Sequence, residues 1–414
     1  MSRQTSSKHR YIVAQSGARR SYAVPFILHQ AGLLERFFTD VCGNVGWGRW
    51  LSAGGKLPWI GTKLRRLANR RVQEVIREKT VTFVWPNLRW FWRSVWTSKE
   101  PTNVFRQDVR RHQELGEAVA GCDFDGATHL YLMFSEFTPL MWLARERGLK
   151  VVSEIYILIS TNRLVAEERR QFPGWEAEPP DWEGVLREFN HQDALLSQAD
   201  FYICPSESVA QDLVKNWNIA QDCTAVVPYG MSPTWLQLVP ETQPGRILFV
   251  GTADLRKGIH YLAMAAEELV RRGRKYEFRV AGHVEELVRH QPACRHLTFL
   301  GRVPRERIHE EFQQADVFTL PSLAEGSAEV TYEALAAALP LVVTASAGSV
   351  VRDGIEGIVI PERDPIALAD SIESIIENRA LRTQFATAAR QRAAEYTWDR
   401  YGERLISALE SIPA

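Results

Sequence analysis

Short apolar runs, each closed by a glycine or proline and followed by a helix-forming stretch, recur along most of this chain. Tyr11–Gln15 predicts a buried strand, Ser16–Arg20 a glycine-bearing turn and Ala23–Gly32 a helix. Strands are predicted again at Thr128–Phe134, Lys150–Tyr156, Ala199–Cys204 and Thr224–Pro228, with helices over Thr138–Arg147, Val185–Gln198 and Ser206–Trp217. The stretch Val239–Gly245, rich in polar residues, proline and glycine, interrupts the rhythm and reads as a domain boundary. A second series follows, with strands at Arg246–Val250, Tyr276–Val280, Leu297–Leu300, Val317–Leu320, Leu341–Thr344 and Gly357–Ile360, and helices such as Gly258–Arg272 and Arg305–Gln314. After Asp364 only helical patterns remain. Strand–helix alternation of this kind builds parallel sheets covered on both faces, so two doubly wound α/β domains in succession are expected.

Residues 43–99 break that alternation. The window Gly46–Lys99 holds seven of the thirteen tryptophans and twelve basic residues against only Glu74 and Glu78. Lys63–Lys79 could form a helix with Leu64, Leu67, Val72, Val75 and Ile76 on one side and arginines elsewhere. Basic side chains beside aromatics suit an anionic membrane surface. A packed insertion with core tryptophans and solvated arginines fits equally well. Nucleic acid is disfavoured because no binding module accompanies the patch, and the 414-residue chain carries no net charge.

An apolar content of 45% and a charged content of 24% are those of a globular protein. Cys42, Cys122, Cys204, Cys223 and Cys294 are scattered without metal-type spacing and read as reduced core residues. No run approaches the ~18 apolar residues of a membrane span, and no secretory signal opens the chain. The expected location is cytoplasmic, with a peripheral position on the inner face of the membrane where residues 46–99 bind lipid.

Candidate chemistry gathers at strand ends. After Val317–Leu320 the chain breaks at Pro321 and Gly326 and enters a helix-forming stretch from Ser327 to Ala338. A strand, a glycine-containing turn and a helix start present backbone N–H groups to an anion such as a diphosphate. Glu325 falls in the turn and Glu333 roughly 12 Å further along the helix, a bracket that suits a nucleotide sugar. In Val250–Gly258, Arg256 and Lys257 precede a helix, where paired cations can hold a diphosphate. Ala281–His283 and Gly301–Pro304 are further strand-end turns able to touch a base or ribose through backbone, although His283 alone reads as structural or solvent-facing. In the first domain the Gly17 turn, with Arg19 and Arg20, reads equally as structural or as a ligand loop. Glu154 and Tyr156 lie near the C-terminal end of their strand, the edge where ligands bind in open α/β sheets.

Together these residues resemble the nucleotide-binding half of a GT-B glycosyltransferase of retaining family 4, the group 1 glycosyl transferases. The resemblance rests on Glu325-x7-Glu333, on the turn from Gly251 to Lys257-Gly258, on Val226-Val-Pro-Tyr-Gly230 and on Tyr396-Thr-Trp398 before a last helix. It is specific over residues 200–414 and mainly architectural before them. The chain departs from the family pattern at Thr252, where an arginine is usual, near Tyr156, where a histidine is usual, and at Ala338, where a glycine is usual.

The resemblance implies two Rossmann-like domains facing a cleft: an acceptor-binding domain over 1–238 with the insertion at 43–99, a nucleotide-sugar domain over 239–394, and a crossover helix within 395–414 packing on the first domain. It implies Glu333 on the donor ribose, Glu325 on the donor sugar, and Lys257 with Arg256 neutralising the leaving diphosphate. Gly326, Ser327, Ala328, Glu329 and Val330 would meet sugar hydroxyls and phosphate. Gly251, Thr252, Gly282, His283, Arg302 and Val303 would complete the donor site, and Gly17, Arg19, Glu154 and Tyr156 the acceptor side. The implied activity is retaining, metal-independent transfer of a sugar from a UDP- or GDP-linked donor to a glycan or polyprenyl-linked acceptor in cell-envelope or exopolysaccharide synthesis, with no cofactor. A nucleotide-sugar epimerase of the same fold and a non-catalytic partner in a polysaccharide assembly complex are the competing readings.

Overall fold

The computed structural model describes residues 9–50, 69–134, 137–189, 196 and 198–412. Lys56, Trp59, Lys63, Leu64, Arg65, Arg66 and Leu67 of the tryptophan-rich region lie outside the described residues, as do 190–195 and 197 of the helix expected at Val185–Gln198. The chain divides into two compact units. One comprises Met1–Glu154, Glu178–Ile203 and Leu405–Ala414; the other comprises Ile155–Ala177 and Cys204–Arg404.

Thirteen strands are assigned among the described residues. The first seven are β1 (Tyr11–Gln15), β2 (Leu34–Thr39), β3 (Thr80–Thr82), β4 (His129–Met133), β5 (Lys150–Glu154), β6 (Phe201–Cys204) and β7 (Thr224–Val226). They form one sheet in the order β3-β2-β1-β4-β5-β6-β7, parallel from β3 through β6. β1 and β4 are buried at every position, as expected for central strands with helices on both faces. On one face Ile12, Ala14, Leu130, Leu132 and Val151 pack against Leu115 and Val119 of the helix Pro101–Ala120 and Leu140, Met141 and Ala144 of the helix Thr138–Glu146.

The second sheet contains β8 (Arg246–Val250), β9 (Glu277–Ala281), β10 (Leu297–Gly301), β11 (Val317–Leu320), β12 (Leu341–Thr344) and β13 (Gly357–Ile360), in the order β10-β9-β8-β11-β12-β13. It too is parallel. The chain steps outward from β8 through β9 to β10, then returns to start β11 on the other side of β8. This reversal is a topological switch point, and the ends of β8 and β11 flank the crevice it opens. The first sheet reverses in the same way between β1 and β4.

The two doubly wound domains inferred from the hydrophobic pattern are present as two parallel-sheet, Rossmann-like units. Differences fall where local pattern is weak. The region expected to interrupt the α/β order contributes the three-residue strand β3 and the helix Val84–Trp96. The helix expected over Lys63–Lys79 is, in its described part, a 3-10 turn at Glu74–Lys79 preceded by extended Gln73. There Val72 and Ile76 are buried but Val75 is 58% exposed, so the apolar residues of the described part do not share one buried face. Leu34–Thr39, with Glu35 and Arg36 inside it, disguised β2. All five cysteines are free; Cys42, Cys204 and Cys294 are buried, Cys122 is half-buried and packs against the core of the first unit, and Cys223 is half-buried.

Candidate functional site

In the second unit the switch point brings together the loop after β8 and the loop after β11. Gly258 sits at φ +72°, and a Cβ there would lie 2.0 Å from the carbonyl oxygen of Pro321, so only glycine lets the two loops meet. The Leu323 N–H donates to Arg256 O at 2.8 Å, and Arg256 Nη1 donates to Ala324 O at 3.0 Å. Both cations then converge on one atom. Arg256 Nη1 and Lys257 Nζ each lie 2.6 Å from Glu325 Oε1. Lys257 is buried, and the Glu325 side chain is only 12% exposed.

The cations are themselves fixed from behind. Lys257 N–H donates to Asp254 Oδ1 at 2.8 Å, Leu255 N–H donates to Glu176 Oε1 at 2.7 Å, and Arg256 Nη2 is 3.8 Å from Asp254 Oδ2. Burial pushes the Asp254 carboxyl above the usual carboxylate range, against the pull of Arg256 and Lys257.

The loop from Glu325 to Ala328 is held by backbone bonds of Glu325 N–H to Ser346 O and Ala328 N–H to Ala347 O, at 2.9 and 3.1 Å. Ser327 Oγ donates to Gly348 O at 2.7 Å, and Ser206 Oγ to Gly326 O at 2.5 Å. A side chain at Gly326 is excluded, since its Cβ would stand 1.9 Å from Tyr156 O. Among the described residues no acceptor takes the backbone N–H of Gly326 or Ser327. These groups lead into the helix Glu329–Ala336, which carries the half-buried Glu333. A helix start with open N–H groups, beside two cations sharing one carboxylate oxygen, is a place for an anion.

The neighbouring strand ends are laced in series. Gly251 N–H donates to Ala281 O at 2.9 Å, Ala253 N–H to His283 O at 2.7 Å, and Gly282 N–H to Gly301 O at 2.8 Å. A Cβ at Gly282 would be 1.8 Å from Gly251 O. Gly251, Thr252, Gly282 and His283 thus stand side by side at one sheet edge, with Arg302 and Val303 following Gly301. The His283 ring is half-exposed and lies 3.0 Å from Glu285 Oε1.

In the first unit Gly17 (φ +73°) donates its N–H to Asp40 Oδ1 at 3.0 Å. Gln15 Nε2 donates to the carbonyls of Gly17 and Arg19 at 2.9 and 3.2 Å. Glu154 is buried, its Oε1 paired with Arg20 and its Oε2 accepting from Tyr131 OH. Tyr156 belongs to the second unit and meets Gly326 through its carbonyl oxygen.

Two clusters escaped the sequence reading. At the β1 end, buried Asp40 receives Arg70 Nη1 at 3.1 Å, with Arg111 Nη1 at 3.9 Å. The signal was a carboxylate directly after the β2 run Phe37-Phe38-Thr39. In the second unit Glu168, inaccessible to solvent, is bonded to His260 Nε2 at 2.9 Å, to Arg363 Nε at 2.9 Å and to Tyr261 OH. Only the fold brings residues so distant in sequence together.

Residues 237–392 match the family model for glycosyl transferases group 1. D-inositol 3-phosphate glycosyltransferase of Corynebacterium diphtheriae is 27% identical over 52% of this chain and 57% of that protein. Alpha-D-kanosaminyltransferase of Streptomyces kanamyceticus is 30% identical over 40% of this chain and 45% of that protein. The chain spans about half the length of the curated relatives it matches. Among solved structures, sucrose-phosphate synthase from Thermosynechococcus elongatus superposes with a TM-score of 0.62 at 18% identity, covering 97% of this chain and 98% of that one. Anabaena HepE in complex with UDP gives a TM-score of 0.60 at 12% identity, covering 97% and 100%. At these identities the likeness establishes the fold, which is that of GT-B glycosyltransferases.

Proposed function

We propose that the chain is a retaining glycosyltransferase that moves a sugar from a UDP- or GDP-linked donor to a glycan or polyprenyl-linked acceptor in cell-envelope or exopolysaccharide synthesis, acting at the cytoplasmic side of the membrane. The observation that carries this reading is the convergence of Arg256 and Lys257 on Glu325 at the start of the helix Glu329–Ala336, inside the span matching the group 1 glycosyl transferases. Glu325 and Asp254 face the two cations. The donors of Arg256 and Lys257, together with the N–H groups of Gly326 and Ser327, account for a bound diphosphate. Names of similar proteins point the same way: HepE binds UDP, and the inositol-phosphate enzyme transfers a glycosyl group.

In this reading Glu333 holds the donor ribose and Glu325 meets the donor sugar while keeping the two cations in place. Thr252, Glu329 and Val330 bind the donor together with the laced strand ends, and Arg302 and Val303 meet its base. The bond from the anomeric carbon to the diphosphate oxygen breaks as the acceptor oxygen bonds to the same face of that carbon. The acceptor proton passes to the departing diphosphate oxygen. Lys257 and Arg256 stabilise the charge growing on that oxygen, a task that needs no metal ion. Gly17, Arg19, Glu154 and Tyr156 serve the acceptor, with Glu154 acting through Arg20 as a positioning residue.

A thermal-shift screen against UDP, GDP and their common sugar conjugates tests the donor half. The correct ligand at 100 times its dissociation constant stabilises by about 2.7 kcal/mol. Glu333→Ala is expected to abolish the shift. Unchanged nucleotide-sugar turnover in both Glu333→Ala and Lys257→Ala would overturn the assignment.

A further inference from the structure

The helix Val84–Trp96 turns its apolar side outward. Trp85, Leu88, Phe91, Trp92, Val95 and Trp96 are 40–86% exposed. At 3.6 residues per turn they occupy one arc of about 140°. The helix is seated by its opposite side: Pro86 is buried, the half-buried Trp90 ring lies 6.0 Å from the Arg111 guanidinium, and Arg93 bonds Glu114 at 2.7 Å. Trp47, 71% exposed, stands close to the same helix, since a Cβ on its neighbour Gly46 would come within 2.9 Å of Thr82 Oγ1, two residues before the helix. Solvent-facing aromatic surface of this extent marks an interaction site.

Its chemistry selects the occupant. The helix contains no acidic residue. Arg89 borders the apolar arc, and the described stretch 69–99 carries seven basic residues against Glu74 and Glu78. Tryptophan and phenylalanine prefer the boundary between headgroups and acyl chains, where neighbouring arginines meet lipid phosphates. A helix of 13 residues is about 20 Å long, too short to span a bilayer but suited to lying in its surface. A second copy of the chain would set the same cationic rim against itself.

We propose that the outer face of Val84–Trp96 docks on an anionic phospholipid surface, lying in the headgroup plane. This docking does not depend on the glycosyltransferase reading, and its test measures binding alone.

The full chain is floated with vesicles of phosphatidylcholine, with and without phosphatidylglycerol, at low and high salt. Association is expected with the anionic vesicles and is expected to weaken with salt. Replacing Trp85, Trp92 and Trp96 together by serine should reduce it at least about tenfold, and Arg89→Glu about fivefold on anionic vesicles only. Because the three tryptophans are exposed, the triple variant should retain the parent's melting temperature. Independently of any variant, lipids brominated near the headgroup should quench the tryptophan fluorescence of the unmodified protein. Absence of anionic-vesicle binding at low salt, absence of quenching, or binding that survives in a folded triple variant would overturn the proposal. So would a dimer in light scattering that the triple variant abolishes while vesicles stay unbound, which would assign the face to a second copy.

Discussion

Each sheet ends at its switch point in a glycine turn flanked by arginines, yet the carboxylates that answer those cations differ in exposure, 1% for Glu154 and Asp40 against 12% for Glu325 and 20% for Asp254. In the first unit the cations answer to buried carboxylates: Arg20 to Glu154, and Arg70 and Arg111 to Asp40. The Arg20 and Glu154 side chains are 6% and 1% exposed, so the pair is internal structure. In the second unit Arg256 and Lys257 share a single oxygen of Glu325 beside open backbone N–H groups. The backbones differ as well. After β8, β9 and β10 the second unit places glycine at its positive-φ positions, Gly251, Gly258, Gly282 and Gly301, with Arg363 after β13 the exception at φ 62°, whereas the first forces Arg20, Ser21 and Tyr22 to φ values of 47°, 52° and 62°. Left-handed non-glycine residues cost roughly 1–2 kcal/mol each, and the segment is tied down by the buried Arg20–Glu154 pair, by Gln73 Nε2 donating to Ser21 O and by the buried Tyr22. The contrast teaches that a strand-end arginine indicates a ligand only when the carboxylate that holds it stays within reach of solvent.

The most forceful way to break this contrast is to remove the internal cation. Arg20→Met leaves Glu154 buried without its partner, and loss of one member of such a pair typically destabilises by about 3–5 kcal/mol. Urea unfolding should show that loss while nucleotide affinity in the second unit stays unchanged. A loss below about 1 kcal/mol, the range of an exposed pair, would erase the distinction between the two turns.

Lys257→Met attacks the other side. Here stability should change little, because Arg256 still bonds Glu325, but turnover should fall by about 10²–10³-fold, as when one preorganised donor to a developing oxyanion is lost. Steady-state kinetics with the nucleotide sugar found by the thermal-shift screen would measure it. A large stability loss with intact turnover would make Lys257 the counterpart of Arg20.

The second unit was legible in the sequence because strand ends and glycines coincide there. Strands β8, β11, β12 and β13 have the bounds the hydrophobic pattern gave, and Glu325 and the pair Arg256-Lys257, 68 residues apart in the chain, stand together in space. The first unit was harder. β2 carries two charged residues within six, β3 is three residues long, and the helix Val84–Trp96 presents its apolar side to solvent, so the usual rule of apolar-in misleads. Neither Asp40 nor Glu168 belongs to any local motif. Their roles come from partners as much as 195 residues away, as with Arg363 and Glu168, and periodicity cannot report such pairs.

The buried Glu168 cluster sharpens the comparison by showing an internally closed carboxylate in the second unit too. Burial holds the His260 imidazole below its ordinary value of 6.5, against Glu168 and Glu176, which pull it up. Its Nδ1 has no hydrogen-bond partner among the described residues, so protonation there would bury an unmatched N–H. Burial would raise the Glu168 carboxyl, but hydrogen bonds from His260, Tyr261 and Arg363 hold it below its ordinary value. Both signs agree. As pH falls through 6.5 the unfolded chain takes up a proton that folded His260 refuses, and below 4.5 the unfolded carboxylate does the same relative to Glu168. Melting temperature should therefore decline from about pH 7 to about pH 5, with a shallower slope in His260→Gln. An equal slope would remove His260 from the cause.

The smallest effect tests the backbone half of the contrast, at a place where the second unit breaks its own habit. The helix Glu329–Ala336, which carries Glu333, closes with Leu339 N–H on Ala334 O at 3.1 Å and Ala338 N–H on Leu335 O at 3.0 Å. This is a Schellman ending, whose left-handed residue is usually glycine, and here it is Ala338 at φ 58°. Ala338→Gly would relieve about 1 kcal/mol of backbone strain and give back part of it through the freer unfolded chain. The net gain should be about 0.5 kcal/mol, near the resolution of urea unfolding, with nucleotide affinity unchanged. If the variant were instead less stable, the Ala338 methyl would be packing more than it strains, and glycine at positive φ would no longer distinguish the second unit from the first.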